Sequence, residues 1–263
     1  MKELTNNTAS TANSSTSTER EIVISVSNLY LSFGSQAVLQ GISFNLYQGE
    51  NLVILGKSGS GKSVLIKCIV QLLKAQSGSI NVMGENIDAI TNSNLDELRK
   101  KIGFLFQSGA LYDSMNVREN LEFPLRRNKR KYTEQEIKEH VTLVLERVGL
   151  LSAIDKMPAQ LSGGMRKRIS LARTLIIDPQ IMLYDEPTTG LDPVTSNEIS
   201  QLINQIQDQY KTASIIITHD IACVRTTAHR ILLMHEGAIY KEGSLIDFET
   251  SDDPFIQSFF GKL

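Results

Sequence analysis

The sequence predicts an α/β fold in which a mainly parallel sheet carries an antiparallel β edge and a helical insertion. Three apolar runs, at residues 52–55, 181–184 and 214–217, are typical of buried strands and are separated by stretches with helical periodicity. Strands that alternate with helices indicate a parallel sheet, because each helix returns the chain to the starting edge. A glycine-rich loop follows the first run directly, and a capped amphipathic segment lies between the first and second runs.

The first twenty residues are predicted to form a disordered tail. From Thr5 to Thr18 every residue is Thr, Asn, Ser or Ala, so little apolar surface is available to offset the entropy cost of ordering. Order is predicted to begin near Ile22, where apolar and polar residues alternate as in a half-buried strand, and a second short strand begins at Ser43. Residues 21–263 are therefore predicted to be one folded domain that opens with an edge sheet.

Helical periodicity after the glycine-rich loop predicts a helix from Ser63 to Leu73. Later in the chain, residues 231–234 and 238–240 are predicted to pair as strands around a Glu-Gly turn. A short amphipathic piece then runs through Phe260.

The stretch from residue 107 to residue 161 changes to a pattern of helix and loop. Thr133 and Glu136 form a capping box ahead of an apolar stripe that ends at Gly149. We interpret residues 107–161 as a helical subdomain inserted into the α/β domain.

Composition and charge restrict the classes of partner. The chain has 263 residues, 41% of them hydrophobic, and its 27 basic and 29 acidic residues give a formal net charge of −2. Nucleic-acid binding needs a clustered basic excess, so no nucleic-acid partner is expected. Cys68 and Cys223 stand in apolar contexts, which predicts reduced, buried thiols. No run approaches the roughly 18 apolar residues of a spanning helix and no signal-peptide pattern is present, which predicts a cytosolic chain.

Residues 56–63 read GKSGSGKS and fit the pattern GxxxxGK[ST]. In such loops the backbone N–H groups and a helix N-terminus converge on the β- and γ-phosphates, while Lys62 adds a point charge and Ser63 offers its hydroxyl to Mg²⁺. The pattern predicts nucleotide binding but leaves kinases, GTPases and ATPases open. The predicted nucleotide contacts in this loop are Gly56, Lys57, Ser58, Gly59, Ser60, Gly61, Lys62, Ser63 and the following Val64.

Two carboxylates follow the second buried run. Asp185 is placed at the carboxyl end of a strand, where ligands gather in open α/β sheets, and is predicted to orient Mg²⁺ or its water. Glu186 comes next and is predicted to accept a proton from an attacking water, a role worth about 10²–10⁴-fold in rate.

Leu161, Ser162, Gly163, Gly164 and Met165 resemble the signature motif of ATP-binding-cassette (ABC) ATPases, about twenty residues ahead of Asp185. The resemblance implies the P-loop ABC ATPase fold with a RecA-like core, and a head-to-tail dimer of two copies. Each signature would then close on the γ-phosphate held by the other copy's Lys62. The basic residues Arg166, Lys167 and Arg168, on a helix that opens with a Ser hydroxyl and glycine N–H groups, fit such a second anion site. The family commonly has Gln where Met165 stands.

The resemblance covers nearly everything from Ile22 to Gly243. It implies that Phe33 stacks on adenine, that Gln107 touches Mg²⁺ and the attacking water, and that His219 contacts the γ-phosphate. It also implies that Leu191 and Asp192 form the D-loop at the dimer seam. Fixed donors and Mg²⁺ would neutralise charge on the γ-phosphoryl group while Glu186 and His219 orient one water. The implied catalytic set is Glu186, His219 and Gln107, and the implied metal set is Ser63, Gln107 and Asp185.

Residues 108–115, residues 120–125, Met165 and residues 252–255 resemble the ATPase subunits of Mce-type, Mla-like lipid transporters. The resemblance implies an integral membrane permease and a lipid-binding Mce-type protein as partners. It implies phospholipid or related cargo and a position on the cytoplasmic face of the inner membrane. Leu111, Tyr112 and Met115 are the expected contacts with the permease.

Other functions remain open from the sequence. An importer ATPase for an amino acid or a metal belongs to the same class. A soluble cassette protein of DNA repair, chromosome structure or translation would usually carry a coiled-coil insertion, zinc cysteines or two cassettes, and this sequence has none of them. A P-loop kinase leaves residues 161–165 unexplained.

Overall fold

The computed structural model describes residues 20–128 and 131–261. The strands are Ile22–Phe33 (β1), Gln36–Tyr47 (β2), Asn51–Leu55 (β3), Ser77–Val82 (β4), Glu85–Asn86 (β5), Ile102–Leu105 (β6), Ile181–Asp185 (β7), Ala213–Thr218 (β8), Arg230–His235 (β9) and Ala238–Gly243 (β10). The helices are Lys62–Ile69 (α1), Asn92–Lys100 (α2), Val117–Arg126 (α3), Glu134–Arg147 (α4), Gly163–Leu175 (α5), Pro193–Tyr210 (α6), Ile221–Thr227 (α7), Leu245–Glu249 (α8) and Pro254–Phe260 (α9). The predicted disordered tail falls, except for its last residue, outside the described residues and stays a prediction.

A six-stranded sheet in the order β10-β9-β3-β8-β7-β6 forms the centre of the molecule. All neighbours in it are parallel except β10, which pairs antiparallel with β9 around the turn at Glu236. Every residue of β3, β7 and β8 is buried, as expected for strands covered on both faces. The predicted α/β class with a mainly parallel sheet is confirmed.

A second, antiparallel sheet has the order β2-β1-β4-β5. Its first two strands have twelve residues each, so the strand predicted to begin at Ser43 is the last part of a longer one that begins at Gln36. The predicted antiparallel β edge is present.

Alternation along the central strands separates two hydrophobic cores. Val53 and Leu55 face a core formed with helices α3 to α7. Leu52 and Ile54 face the other core, which joins α1 to the antiparallel sheet. The central sheet is thus a middle layer, and the ends of its strands remain open for a site.

Helix α1 ends earlier than its periodicity predicts. Its last residue is Ile69, whereas the prediction was Leu73. Gln71 adopts φ 54°, which breaks the helical path, and the Arg99 side chain donates to the carbonyl oxygens of Val70 and Gln71. A distant side chain therefore satisfies the carbonyls that another helical turn would have used.

The stretch predicted as a helical subdomain holds α3, α4 and two 3₁₀ turns, Leu151–Ala153 and Pro158–Gln160. The predicted capping box of Thr133 and Glu136 is present at the start of α4. These helices pack on α5 in the first of the two cores. The interpretation of residues 107–161 as a separate helical subdomain stays a prediction.

Both cysteine thiols are free and buried, and burial raises the pKa of each to about 11. Within residues 20–128 and 131–261, no helix combines the length and apolar character needed to cross a bilayer.

Candidate functional site

The glycine-rich loop joins the end of β3 to the start of α1. Gly61, the residue before the helix, has φ 99°, and a Cβ atom there would lie 2.7 Å from the carbonyl oxygen of Val38. No side chain caps α1, so its first N–H groups are directed into the loop. The local sequence therefore builds an anion cradle from backbone donors and a helix N-terminus.

A cavity of about 630 Å³ opens over this loop. It brings together most of the predicted ATP-binding and catalytic residues, although they come from five separate parts of the chain. Gly56 and Ser60 do not line it, and Ser60 is buried beneath the loop. The lining residues are Phe33, Gln36, Val38, Lys57, Ser58, Gly59, Gly61, Lys62, Ser63, Val64, Gln107, Glu186, His219 and Phe259.

Lys62 is held inside the loop. Its Nζ donates to the carbonyl oxygens of Gly56 at 2.7 Å and Lys57 at 2.9 Å, and the residue is only 6% exposed. Burial lowers the pKa of Lys62, while the charges of Glu186 and Asp185 act in the opposite direction. The ammonium is therefore placed at the cavity wall with hydrogen-bond partners already in position.

Ser63 and Asp185 meet across the central sheet. Ser63 Oγ donates to Asp185 Oδ1 at 2.8 Å, which joins the first turn of α1 to the end of β7. A hydroxyl and a carboxylate are the hard oxygen ligands that Mg²⁺ takes from proteins when phosphate oxygens supply the others. In the described part of the chain, no group of three or more His, Cys, Asp or Glu side chains is placed to hold a metal alone. The residues present therefore fit Mg²⁺ carried with a nucleotide.

Glu186 sits on a strained backbone at the end of β7. Its φ is 52°, and its N–H donates to the carbonyl oxygen of Ile217 at 2.9 Å. Its Oε2 lies 2.8 Å from His219 Nδ1 and accepts a hydrogen bond from Thr189 Oγ1 at 3.1 Å. Because an ionised carboxylate only accepts, Nδ1 must carry the hydrogen. Oε1 has no hydrogen bond within the described residues, so this oxygen is available to a water.

The three basic residues next to the signature, expected to support a second anion site, do not point the same way, and the site itself stays a prediction. Lys167 is 6% exposed and its Nζ donates inward, to the carbonyl oxygen of Gln107 at 2.8 Å. Arg168 pairs with Glu198 at 2.5 Å. Consecutive helical residues point in different directions, so three basic residues in a row cannot share one face. Arg166 is exposed, as is Ser162.

The signature residues lie apart from the cavity. Ser162 caps α5 and accepts from the N–H of Met165 at 3.2 Å, while Leu161 is buried in the core. Neither these residues nor Gly163 and Gly164 line the cavity over the glycine-rich loop. A single chain does not bring its own signature onto that loop.

The predicted D-loop residues also lie outside this cavity. Asp192 caps α6 by accepting from the N–H groups of Val194 and Thr195, and its hydrogen bonds, the strongest of them from the Thr195 hydroxyl, hold its pKa below the usual value. Leu191 lines a neighbouring cavity of about 430 Å³ that also reaches His219. His219 therefore stands between the two cavities.

The predicted permease-contact segment is organised by Asn120, which is fully buried. Its amide donates to the carbonyl oxygens of Tyr112, Met115 and Asn116 and accepts from the N–H of Tyr112. Tyr112 is exposed, Met115 is half-buried, and Leu111 packs against the core. Of the three expected contacts, only Tyr112 is fully at the surface.

Sequence reasoning missed several residues of the site. Thr189, Gln36, Val38 and Phe259 touch Glu186 or line the cavity, but none stands out by composition or spacing. Phe259 belongs to α9, far along the chain from the glycine-rich loop. The sequence analysis assigns Glu186 and His219 to the same water but does not predict that their side chains are in contact.

Comparison with known proteins gives a consistent result. Residues 39–189 match the family model described as ABC transporter. The chain is 37% identical over 258 residues to Protein TRIGALACTOSYLDIACYLGLYCEROL 3, chloroplastic, of Arabidopsis thaliana, covering 92% of this chain and 74% of that protein. It is 40% identical over 238 residues to the Probable ribonucleotide transport ATP-binding protein mkl of Mycobacterium leprae, covering 90% of this chain and 68% of that protein. It is 36% identical over 227 residues to a Methionine import ATP-binding protein MetN 2 of Bacillus cereus, covering 86% of this chain and 66% of that protein.

Among solved structures, the fold resembles the dimeric post-hydrolysis state of the ATP-binding cassette MJ0796 bound to ADP and Pi. The TM-score is 0.77 with 29% sequence identity, and the match covers 84% of this chain and 98% of that one.

Proposed function

The chain belongs to the ABC transporter family as an ATP-binding subunit, and from that membership we propose that its ATP hydrolysis powers the transport of a lipid. The coupling of hydrolysis to transport belongs to the family. The observation that carries the lipid cargo is the 37% identity to a relative whose name contains a galactolipid. The likeness of residues 108–115 and 120–125 to Mce-type transporters supports the same cargo.

We propose the following roles at the cavity. The oxygen of one water forms a bond to the γ-phosphorus of ATP, the bond from that phosphorus to the β–γ bridging oxygen breaks, and Glu186 Oε1 takes the proton that the water loses. His219 holds the carboxylate in place through Nδ1–H, and Gln107 orients the water. Mg²⁺, held by Ser63 and Asp185, would neutralise charge on the phosphates.

Binding of the nucleotide is proposed to use the remaining cavity residues. Lys62 and the loop N–H groups hold the phosphates, and Phe33, which is 51% exposed, offers its ring to adenine. Mg-ATP fits this cavity wall because the backbone N–H groups and the Lys62 ammonium can donate to phosphate oxygens. The oxygens of Ser63 and Asp185 are suited to Mg²⁺.

The proposed assembly contains two copies of the chain, a membrane permease and a lipid-binding Mce-type protein. Since the signature residues lie off the cavity, a second copy is the natural source of the groups that complete it. The dimeric cassette MJ0796 supports this arrangement. We propose that the assembly places the chain on the cytoplasmic face of the inner membrane.

An importer for another small substrate is the second candidate. The 36% identity to a methionine import protein and the 40% identity to a probable ribonucleotide transport protein favour it. These relatives carry the same kind of motor, so the cargo depends on the permease that docks beside Tyr112.

Capture of the native complex separates the two candidates. The chain is tagged at its natural level, solubilised with the membrane in mild detergent, and its integral membrane partner and bound small molecules are identified by mass spectrometry. We expect a permease together with phospholipid or glycolipid, and the same permease with the Lys62→Ala variant because residues 108–115 do not line the cavity that holds Lys62. Recovery of a permease carrying an amino acid or nucleotide and no enriched lipid would reject the lipid cargo.

A further inference from the structure

Helix α5 holds the loop after Gln107 along one face. Lys167, Ser170 and Arg173 are spaced three residues apart, so their side chains leave the helix on one side. Lys167 Nζ donates to the carbonyl oxygen of Gln107 at 2.8 Å, and Arg173 Nη1 donates to that of Ala110. Between them, a Cβ atom on Gly109 would lie only 2.5 Å from Ser170 Oγ. The loop is therefore joined to the helix by two hydrogen bonds, and between them Gly109 packs closely against Ser170.

Lys167 also reaches the end of β7. Its Nζ lies 3.4 Å from the carbonyl oxygen of Glu186, so a single ammonium serves two backbone carbonyls from different elements. The residue is only 6% exposed. Burying an ammonium costs less when its N–H groups have acceptors, and these two carbonyl oxygens accept from two of its three donors. A neutral side chain of similar size would fill the space without joining the two segments.

The Lys167 contact is one of three hydrogen bonds to the backbone of Glu186. Its N–H donates to the carbonyl oxygen of Ile217 in β8, and its own carbonyl oxygen accepts from the N–H of Thr189 and from Lys167, both at 3.4 Å. With φ at 52°, the residue occupies a conformation that side-chain-bearing residues adopt only when their surroundings impose it. The peptide groups on each side of its Cα determine where the carboxylate points.

We propose that Lys167 is a positioning residue for ATP hydrolysis, whose ammonium ties the carbonyl oxygen of Gln107 to that of Glu186 and keeps the two side chains in register. This inference rests on the roles proposed above for Glu186 and Gln107 and is independent of the cargo. Because Lys167 belongs to the helix that Ser162 opens, a displacement of that helix is transmitted to both side chains at once.

The test replaces the ammonium in the full-length chain. Lys167→Met removes the charge and keeps the stem, Lys167→Arg restores a cationic donor, and Lys138→Met on the exposed face of α4 is the matched control. For each, kcat and KM come from phosphate release, the Kd for a fluorescent ATP analogue from titration, and stability from urea unfolding. We expect kcat of Lys167→Met to fall about ten- to a hundredfold with Kd unchanged, since misplacement affects the step and not the binding. Lys167→Arg should recover part of the loss.

The outcomes discriminate between explanations. Wild-type kcat in Lys167→Met, or a rise in KM with kcat maintained, overturns the inference. If Lys167→Met is too unstable to assay, Lys167→Gln is measured in its place, and parallel loss of stability, Kd and kcat there shows a merely structural role and also overturns it. Retained turnover in Glu186→Gln would instead reject the proposed roles at the cavity. An inactive Glu186→Gln beside a normal Lys167→Met rejects this inference alone.

Discussion

Glu186 combines a left-handed backbone with a carboxylate of which, among residues 20–128 and 131–261, only Oε2 has hydrogen-bond partners. The backbone conformation costs about 1 kcal/mol for a residue with a Cβ atom. Its contacts with His219 and Thr189 both use Oε2, so the side chain is oriented without blocking Oε1. Strain of this kind persists where several contacts fix the residue, and Glu186 lines the cavity.

At this position we predict that Glu186→Gln abolishes turnover and retains ATP. The amide keeps the size and the contact with Thr189 but cannot take a proton, so phosphate release should fall by about 10²-fold or more. Unhydrolysed ATP should then hold two copies together, which size-exclusion chromatography with Mg-ATP would show as a dimer.

Glu146→Gln, an exposed change on α4, is the matched control and should keep wild-type turnover and elution. Only monomer from Glu186→Gln in saturating Mg-ATP would count against the two-copy arrangement.

Individual residues of the site were predictable where a local pattern carries them. The loop at residues 56–63 and the carboxylates at 185 and 186 each stand in a short recognisable stretch. The Lys167 contacts were not predictable. They join Lys167 to Gln107, which is 60 positions away, and to Glu186, which is 19 positions away, and they depend on how α5 packs on the sheet. A run of three basic residues predicts charge but not which member is buried.

At the scale of elements, a largely buried ion pair links the start of β9 to Glu50, the residue before β3, and a further hydrogen bond from it reaches β2. Arg230, the first residue of β9, donates to Glu50 Oε1 at 2.7 Å and Oε2 at 2.9 Å, and also to the carbonyl oxygen of Asn45 at 2.6 Å. The Glu50 side chain is only 5% exposed. Its hydrogen bonds tie the end of the antiparallel sheet to the start of the central sheet.

We predict that Glu50→Gln destabilises the fold without changing ATP affinity. The amide removes the charge of the two-oxygen partner of Arg230 and leaves Glu242 as its remaining carboxylate, so the loss should be about 2 kcal/mol. Urea unfolding should show the loss.

The comparison is Arg118→Gln, which removes the exposed pair with Asp155 and should cost less than about 1 kcal/mol. Equal stabilities for the two variants would show that the Glu50 pair has no special structural role.

Elements were predictable in kind and less so in extent. The strands β3, β7 and β8 were predictable from continuous apolar runs, because strands that are covered on both faces are apolar along their whole length. The end of α1 was missed since it is set by Arg99, thirty residues beyond Ile69. Local sequence contains no signal for a cap that arrives from another helix.

At the scale of the whole molecule, the cavity and the signature lie in different places on one chain. Lys62 lines the cavity and Ser162 does not, so neither residue can compensate for loss of the other within one copy. If the site is composite, two defective chains should repair each other.

We predict complementation between Lys62→Ala and Ser162→Arg. Each variant alone lacks one half of every site, and a mixed pair has one complete site formed by the intact halves. Equal mixing makes half of the pairs mixed, so phosphate release should recover to at most about a quarter of wild type.

Two portions of the same variant, combined at equal total concentration, provide the baseline. No gain over that baseline, with both variants folded and able to dimerise, would contradict the composite site.

The overall class was predictable from sequence because periodicity and strand burial are physical properties of short segments. The assembly was not, since the sequence of one chain does not state which surfaces meet. The resemblance supplied that step, and the separation of Leu161 and Ser162 from the cavity is the structural fact that agrees with it.

The attachment of α5 to residues 107–110 through Lys167 and Arg173 has a consequence for protein engineering. A chimera with the α5 helix of a relative and the native loop would place foreign side chains against Gly109 and Ala110. The reverse exchange would place a foreign loop against Ser170 and Arg173. Residues 107–112 and 163–175 should therefore be exchanged together, although fifty residues separate them in the sequence.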